Sequence, residues 1–225
     1  MGLFSKDIQS MDDLFVHGLQ DIYYAENQIL KSLPDMIEKA ANGELKKGLQ
    51  THLGETRKQV HRLEQVFRMH GKEPQGASCP AIDGILEEAD DIIGEVEDKN
   101  VLDAAMIAAA QAVEHYEITR YGALIAWAKE LGRGDCAAVL RQNLVEEKAT
   151  DKKLTAMAER RVNPAAERGT RTAAGRARKR APSKASGSAA QSRRSAPARA
   201  AKKQRRASGK PKRASGKPKR ASGRR

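Results

Sequence analysis

The chain has 225 residues, with 42 Lys and Arg against 29 Asp and Glu, a formal net charge of +13 that hides two unlike parts. Residues 1–164 carry −8, whereas residues 165–225 carry +21, with 22 basic residues and the single acid Glu167. No apolar run approaches the roughly 20 residues that span a bilayer and the Met-Gly-Leu-Phe-Ser-Lys start lacks a signal peptide's apolar stretch, so a soluble cytoplasmic protein with no membrane partner is expected. Cys79 and Cys136 are isolated, form no CxxC, and are too few for a disulfide framework or a thiolate metal site.

Ala, Leu, Glu, Lys and Gln dominate every periodic segment, which predicts an all-α domain over residues 1–164. A first long helix opens at Ser10, a capping residue with Asp13 three positions on, and closes at Asn42-Gly43, with a slight bend at Pro34. A second runs from about Glu44 to His70 and stops at Gly71. The stretch from Gly71 to Gly84, with Pro74, Gly76 and Pro80, reads as a connection. Ile82, Ile85, Leu86, Ala89, Ile92, Ile93 and Val96 then mark a short amphipathic helix. A third long helix covers about Val101 to Leu131, and after the Gly132-Arg133-Gly134 turn Asp135 caps a fourth that lasts to about Val162. Asn163-Pro164 is expected to end the fold. Two long hairpins joined by a crossover with a short extra helix describe a four-helix bundle.

The core stripes of these helices contain residues that do not belong in a core. The first helix presents Val16, Leu19, Tyr23, Glu26, Leu30, Leu33 and Ile37; the second leads from Leu45 and Leu49 through His52 to Glu55, Gln59 and Val66. The third presents Ile107, Ala110, Glu114, Glu117, Tyr121 and Leu124, and the fourth Leu140, Leu144, Glu147, Asp151 and Leu154. Measured along each hairpin at 1.5 Å per residue, Glu26 and Glu55 lie about 20 to 24 Å from their turn, as do Glu117 and Glu147 from theirs, so all four reach one layer near mid-helix. Buried carboxylates repel unless cations neutralise them, and an oxygen-rich layer of this kind suits two Fe or Mn ions. The metal candidates are therefore Glu26, Glu55, Glu114, Glu117, Glu147 and Asp151, with His52 one turn from Glu55 as a further candidate or a rim residue. Tyr23 and Tyr121 flank the acids and are expected to pack and hydrogen-bond to them. The competing reading is a polar layer in which Arg120, Arg57 or Lys58 turns inward as counter-charge.

The segments Leu19-Gln-Asp-Ile-Tyr-Tyr-Ala-Glu26, His52-Leu-Gly-Glu-Thr56, Arg62-Leu-Glu64, Glu114-His-Tyr-Glu117 with Tyr121-Gly122, and Glu146-Glu-Lys-Ala-Thr-Asp151 resemble the bacterial YciE/YciF stress-protein family of the ferritin-like superfamily. The resemblance runs from about Leu3 to Ala158. It implies a ferritin-like bundle, a di-iron centre, a homodimer and expression linked to stress, with Glu26, Glu55, Glu114, Glu117 and Glu147 at the family's carboxylate positions. The wider superfamily's Glu-x-x-His is absent: Lys58 follows Glu55 and Thr150 follows Glu147, leaving Asp151 and His52 as the nearest substitutes.

Residues 165–225 contain no Val, Ile, Leu, Met, Phe, Tyr, Trp or Cys, so they cannot bury the apolar area that offsets backbone ordering and are expected to be disordered. Ala207-Ser-Gly-Lys-Pro-Lys-Arg213 recurs at 214–220 and breaks off at the end of the chain. A cationic array without aromatic residues points to the phosphate backbone of DNA, non-specifically, through Arg178, Lys179, Arg180, Lys202, Lys203, Arg205, Arg206, Lys210, Lys212, Arg213, Lys217, Lys219 and Arg220. The tail resembles those of linker-histone-like nucleoid proteins. The joint expectation is a di-metal protein that consumes peroxide or oxygen with Fe(II), as a ferroxidase or peroxide-consuming oxidoreductase, at the nucleoid. The alternative is a nucleoid-binding structural protein whose bundle serves dimerisation and whose metal site is vestigial.

Overall fold

A computed structural model describes residues 8–180, with side chains through Thr172. Six α-helices follow in order: α1 (Met11–Lys39), α2 (Gly43–Met69), α3 (Pro80–Glu95), α4 (Lys99–Glu130), α5 (Gly134–Met157) and, after a π-helical turn at Ala158–Val162, α6 (Asn163–Arg180). α1 pairs with α2 and α4 with α5; α1 also packs on α4 and α2 on α5, which closes the four-helix bundle, while α3 lies against α4 and α1. No helix among the described residues is long and apolar enough to cross a membrane.

Local chemistry explains most boundaries. Ser10 caps α1 by accepting the Asp13 N–H at 3.0 Å, and Asp98 caps α4 by accepting from Asn100 and Val101. α2 and α4 both end on a glycine of positive φ, Gly71 at 71° and Gly132 at 69°. The residue after each glycine returns its N–H to a carbonyl of the last turn, Lys72 to Phe67 and Arg133 to Ala128.

Four boundaries differ from the sequence reading. α1 stops at Lys39, because Asn42 caps the next helix, accepting from Glu44 and Leu45 at 2.9 and 3.0 Å, instead of closing the previous one. α3 begins already at Pro80, which occupies the first helical position where a missing N–H costs nothing. Asp135 does not cap α5: it lies in the first turn and binds the Arg133 guanidinium. Asn163-Pro164 does not end the fold, since the helical path runs on to Arg180. The π turn makes this possible: Asn163 N–H bonds the carbonyl of Ala158, five residues back, and the widened turn absorbs a proline ring that an α-helix interior rejects. α6 packs on α4, and Arg178, Lys179 and Arg180 are its last three residues. The remaining nucleic-acid candidates, Lys202, Lys203, Arg205, Arg206, Lys210, Lys212, Arg213, Lys217, Lys219 and Arg220, lie outside the described residues.

The two hairpins are locked at both ends. Buried Asp103 of α4 accepts the N–H groups of Ala41 and Asn42 in the α1–α2 turn at 2.9 and 2.8 Å. At the other end Arg133, in the α4–α5 turn, donates to the carbonyl of Met69 and meets His70 Nδ1 at 3.1 Å, while His70 also meets Asp12 of its own hairpin at 2.9 Å. Between these locks the helices cannot slide, which fixes the level of any residue placed mid-helix.

Candidate metal centre

The two hairpins meet in a layer of acids. Glu114 and Glu117, three residues apart on α4, face His52 of α2 and Glu147 of α5, and each of the four offers a ligand atom within 4.8 Å of the others. All four side chains are buried. Glu26 of α1, with 0% exposure, joins the layer beside Glu117. Its Oε1 accepts the hydroxyl of Tyr121, whose oxygen in turn accepts from Asn143 Nδ2 at 2.9 Å. Glu55 is half-buried and lines a cavity together with His52 and Glu114.

Burial dominates the electrostatics. It pushes the Glu114 carboxyl up to about 8, with the charges of Glu26, Asp151 and Glu55 adding to the effect. Burial likewise raises Glu26, Glu117 and Glu147 well above the usual carboxylate range, reinforced in each case by neighbouring acids. The His52 imidazole is pushed down to about 4 by burial and then by Lys153, so its 3.3 Å contact with Glu114 joins a neutral ring to the carboxyl and is not an ion pair.

Without a metal the layer is left with orphaned atoms. Glu26 Oε2, His52 Nδ1, Glu114 Oε2, Glu117 Oε2 and both oxygens of Glu147 are buried and meet no donor from outside the layer; the acids have only one another, Glu26 beside Glu117 and Glu114 beside Glu147, to share a proton with. Such atoms each cost of the order of 1–3 kcal/mol unless something binds them. The expected counter-charges do not supply it. Arg57 and Lys58 are exposed, and Arg120 lies over the Tyr116 ring at 5.1 Å. Arg62 is engaged elsewhere, donating to both oxygens of Glu146 at 2.6 and 2.9 Å. Hard carboxylate oxygens with one imidazole fit Fe or Mn by donor chemistry.

The structure therefore brings together Glu114, Glu117, Glu147 and His52, sets Glu26 against them and Glu55 at the cavity side. It does not bring in Asp151, which accepts from Gln111 at 2.9 Å and meets His115 at 3.3 Å on the flank of α4 and α5. Tyr121 plays the supporting role expected of it, but Tyr23 does not: its hydroxyl points to Glu64 at 3.4 Å and its ring packs edge-on against Phe67. The sequence reading missed Asn143 and Thr150, which occupy the inward positions of α5 in place of Leu144 and Asp151.

Residues 10–167 match the family described as "Domain of unknown function (DUF892)". The chain belongs to the DUF892 family. It is 41% identical to protein YciF of Escherichia coli (strain K12) over 162 residues, which cover 72% of this chain and 98% of that one. The crystal structure of that E. coli stress protein superposes with a TM-score of 0.66 over 69% of this chain and 99% of YciF. YcfI of Rhodopseudomonas palustris, described as a candidate structural protein, is 61% identical, with a TM-score of 0.66 over 68% of this chain and 98% of its own. A protein of Xanthomonas campestris pv. campestris, at 21% identity and a TM-score of 0.59, covers 72% of this chain and 99% of its own and shares the fold. The DUF892 chain described here is thus a ferritin-like bundle of the YciF kind, as the motifs implied. Most of its basic segment lies beyond the matched residues.

Proposed function

We propose that this DUF892 protein is a stress-response di-metal protein, binding two Fe or Mn ions between its hairpins and handling iron together with peroxide or oxygen, and that its basic C-terminal segment tethers it to DNA. The observation that carries the metal half is the set of orphaned buried atoms on Glu26, His52, Glu114, Glu117 and Glu147 with no Lys or Arg turned onto them. Glu114, Glu117, Glu147 and His52 would hold the metals, with Glu26 and Glu55 as further ligands. When bound, such a pair supplies two one-electron changes to an oxidant, the chemistry for which carboxylate-rich helix bundles are suited. The chain's own residues prepare for it. Burial disfavours the charged form of these acids and a bound cation favours it, so loading is expected to release protons. The Tyr121 hydroxyl, oriented by Asn143, fixes Oε1 of Glu26 and leaves Oε2 directed at the layer.

The tether reading rests on 22 basic residues among residues 165–225. A homodimer, implied by the family resemblance, belongs to the same proposal and is read by light scattering. Anaerobic Fe(II) titration followed by peroxide tests the function. Rapid loss of Fe(II) at about two per chain supports it, whereas oxidation no faster than in protein-free buffer contradicts it. A gel shift of duplex DNA that weakens steeply with salt and disappears on removal of residues 181–225 supports the tether. Should the truncated chain bind DNA equally, the tether is wrong.

A further inference from the structure

One side of the acidic layer is not closed by packing. A cavity of about 430 Å³ lies in the half of the bundle toward the α1–α2 turn and reaches His52, Glu55 and Glu114 at its base. Ile29, Leu33, Leu49, Val113, Leu154 and Met157 are among its apolar walls. Four cations, Lys47, Lys153, Arg160 and Arg161, stand on its lining and are exposed, against the exposed acid Glu44. Arg161 pairs with Glu44 at 2.9 Å, while Lys47, Lys153 and Arg160 make no ion pair among the described residues. The π-helical turn at Ala158–Val162 delivers Arg160 and Arg161 to this place, and interruptions of that kind gather at functional sites.

We propose that this cavity binds an organic anion with a single apolar chain, such as a medium-chain carboxylate, its head group held by Arg160, Lys47 and Lys153 and its chain running down toward His52 and Glu114. Three features argue for that class. The volume falls within the range of small-molecule sites, and at about 30 Å³ per water-sized group it takes on the order of a dozen non-hydrogen atoms. The walls are apolar, so a polar body would lose hydrogen bonds on entry. The polarity of the site then sets the direction, because the cations are exposed at the surface, where an anionic head keeps both charge partners and water, whereas at the buried end it would be stripped of its hydration. Binding stands on the cavity alone; the idea that the bound chain is presented to a reactive centre rests on the proposed metal site.

Isothermal titration of the full chain with decanoate, decanol and decyltrimethylammonium, the two ions below their micellar concentrations and decanol below its solubility limit, tests the proposal. Decanoate is expected to bind once per chain at least tenfold more tightly than either of the others. Ala110→Phe, which fills the cavity, should weaken it at least tenfold, and the surface double variant Lys153→Glu/Arg160→Glu should bring decanoate down to the level of decanol. No binding, equal binding of the cationic analogue, or decanoate binding unchanged in both variants overturns the proposal; the last result would place the anion on the basic C-terminal segment. Titrations of metal-free and Mn(II)-supplemented protein, with metal counted separately, keep the two readings apart. Decanoate bound by metal-free protein upholds the cavity whatever the metal count, and Mn(II) bound without decanoate refutes the cavity alone.

Discussion

The two halves of the bundle interior are built differently. Toward the α4–α5 turn, Phe15, Leu19, Leu63, Phe67, Leu124, Ala128 and Leu140 are each at most 1% exposed. Gly18 there lets α1 approach α4 so closely that a Cβ would meet Leu124 at 3.0 Å. Toward the α1–α2 turn the four long helices, with α3 and the π turn, line an open cavity of about 430 Å³. The acidic layer lies between the two. One half packs rigidly beneath the buried acids and His52, and the other gives access to them from one side. A site closed all round would suit a structural metal, whereas an open side is what a reacting metal requires.

Four changes sharpen or break this contrast. The largest effect is expected at the layer itself. Glu114→Gln/Glu147→Gln keeps the shape but removes two anionic donors, and should abolish metal binding measured by inductively coupled plasma mass spectrometry. The same variant should match or exceed the metal-free parent in thermal stability, because neutral amides replace two buried acids whose charged forms burial disfavours. Retained metal, or a collapse of stability, would mean that the acids are structural. Second, Phe67→Ala in the packed half should cost about 3–5 kcal/mol in urea unfolding, whereas Leu154→Ala on the cavity wall should fall near the low end for its type, about 2 kcal/mol. Equal costs would mean that the two halves are packed alike. Third, Tyr121→Phe removes the hydroxyl shared by Glu26 and Asn143 and should cost about 1–2 kcal/mol while weakening metal affinity.

The smallest effect is on pH dependence. Glu26, Glu114, Glu117 and Glu147 hold protons more tightly folded than unfolded, because burial disfavours their charged forms. From the ordinary value of 4.5 up to about 8, the figure for Glu114, the metal-free folded chain therefore binds more protons than the unfolded one, and stability falls as pH rises. His52, pushed down to about 4 from 6.5, acts in the opposite direction between those values, one group against four. Melting temperature of the metal-free protein should thus be lower at pH 8 than at pH 6, and Fe or Mn should stabilise more at pH 8. A rising melting temperature over that window would mean that the acids are already charged and paired.

The fold, the level of the acids and the buried faces of α2 and α4 were legible in the sequence, but the rotation of α1 and α5 was not. On α1 the positions Leu19, Glu26 and Leu33 recur every seven residues and belong to either of two neighbouring stripes. The expected one added Val16, Tyr23 and Leu30, whereas the buried one adds Phe15, Ile22 and Ile29. On α5 the shared positions are Leu140, Glu147 and Leu154, and the true stripe takes Asn143 and Thr150 where apolar Leu144 and acidic Asp151 drew the reading aside. Residues common to both stripes survived the error, which is why Glu26 and Glu147 were found while Tyr23 and Asp151 were misplaced. Asn143 offered no signal of its own, since its role depends on Tyr121 from another helix. The continuation into α6 was hidden by Asn163-Pro164, a pair that stops an α-helix but not one loosened by a π turn.

The central claim, that the buried acids are ligands, is tested most directly by counting metal. The full chain, purified from a host supplied with iron and manganese, should carry about two Fe or Mn per chain, and Glu114→Gln/Glu147→Gln should carry close to none. Parent protein that remains metal-free under the same supply, with its acids protonated and its fold intact, would contradict the account.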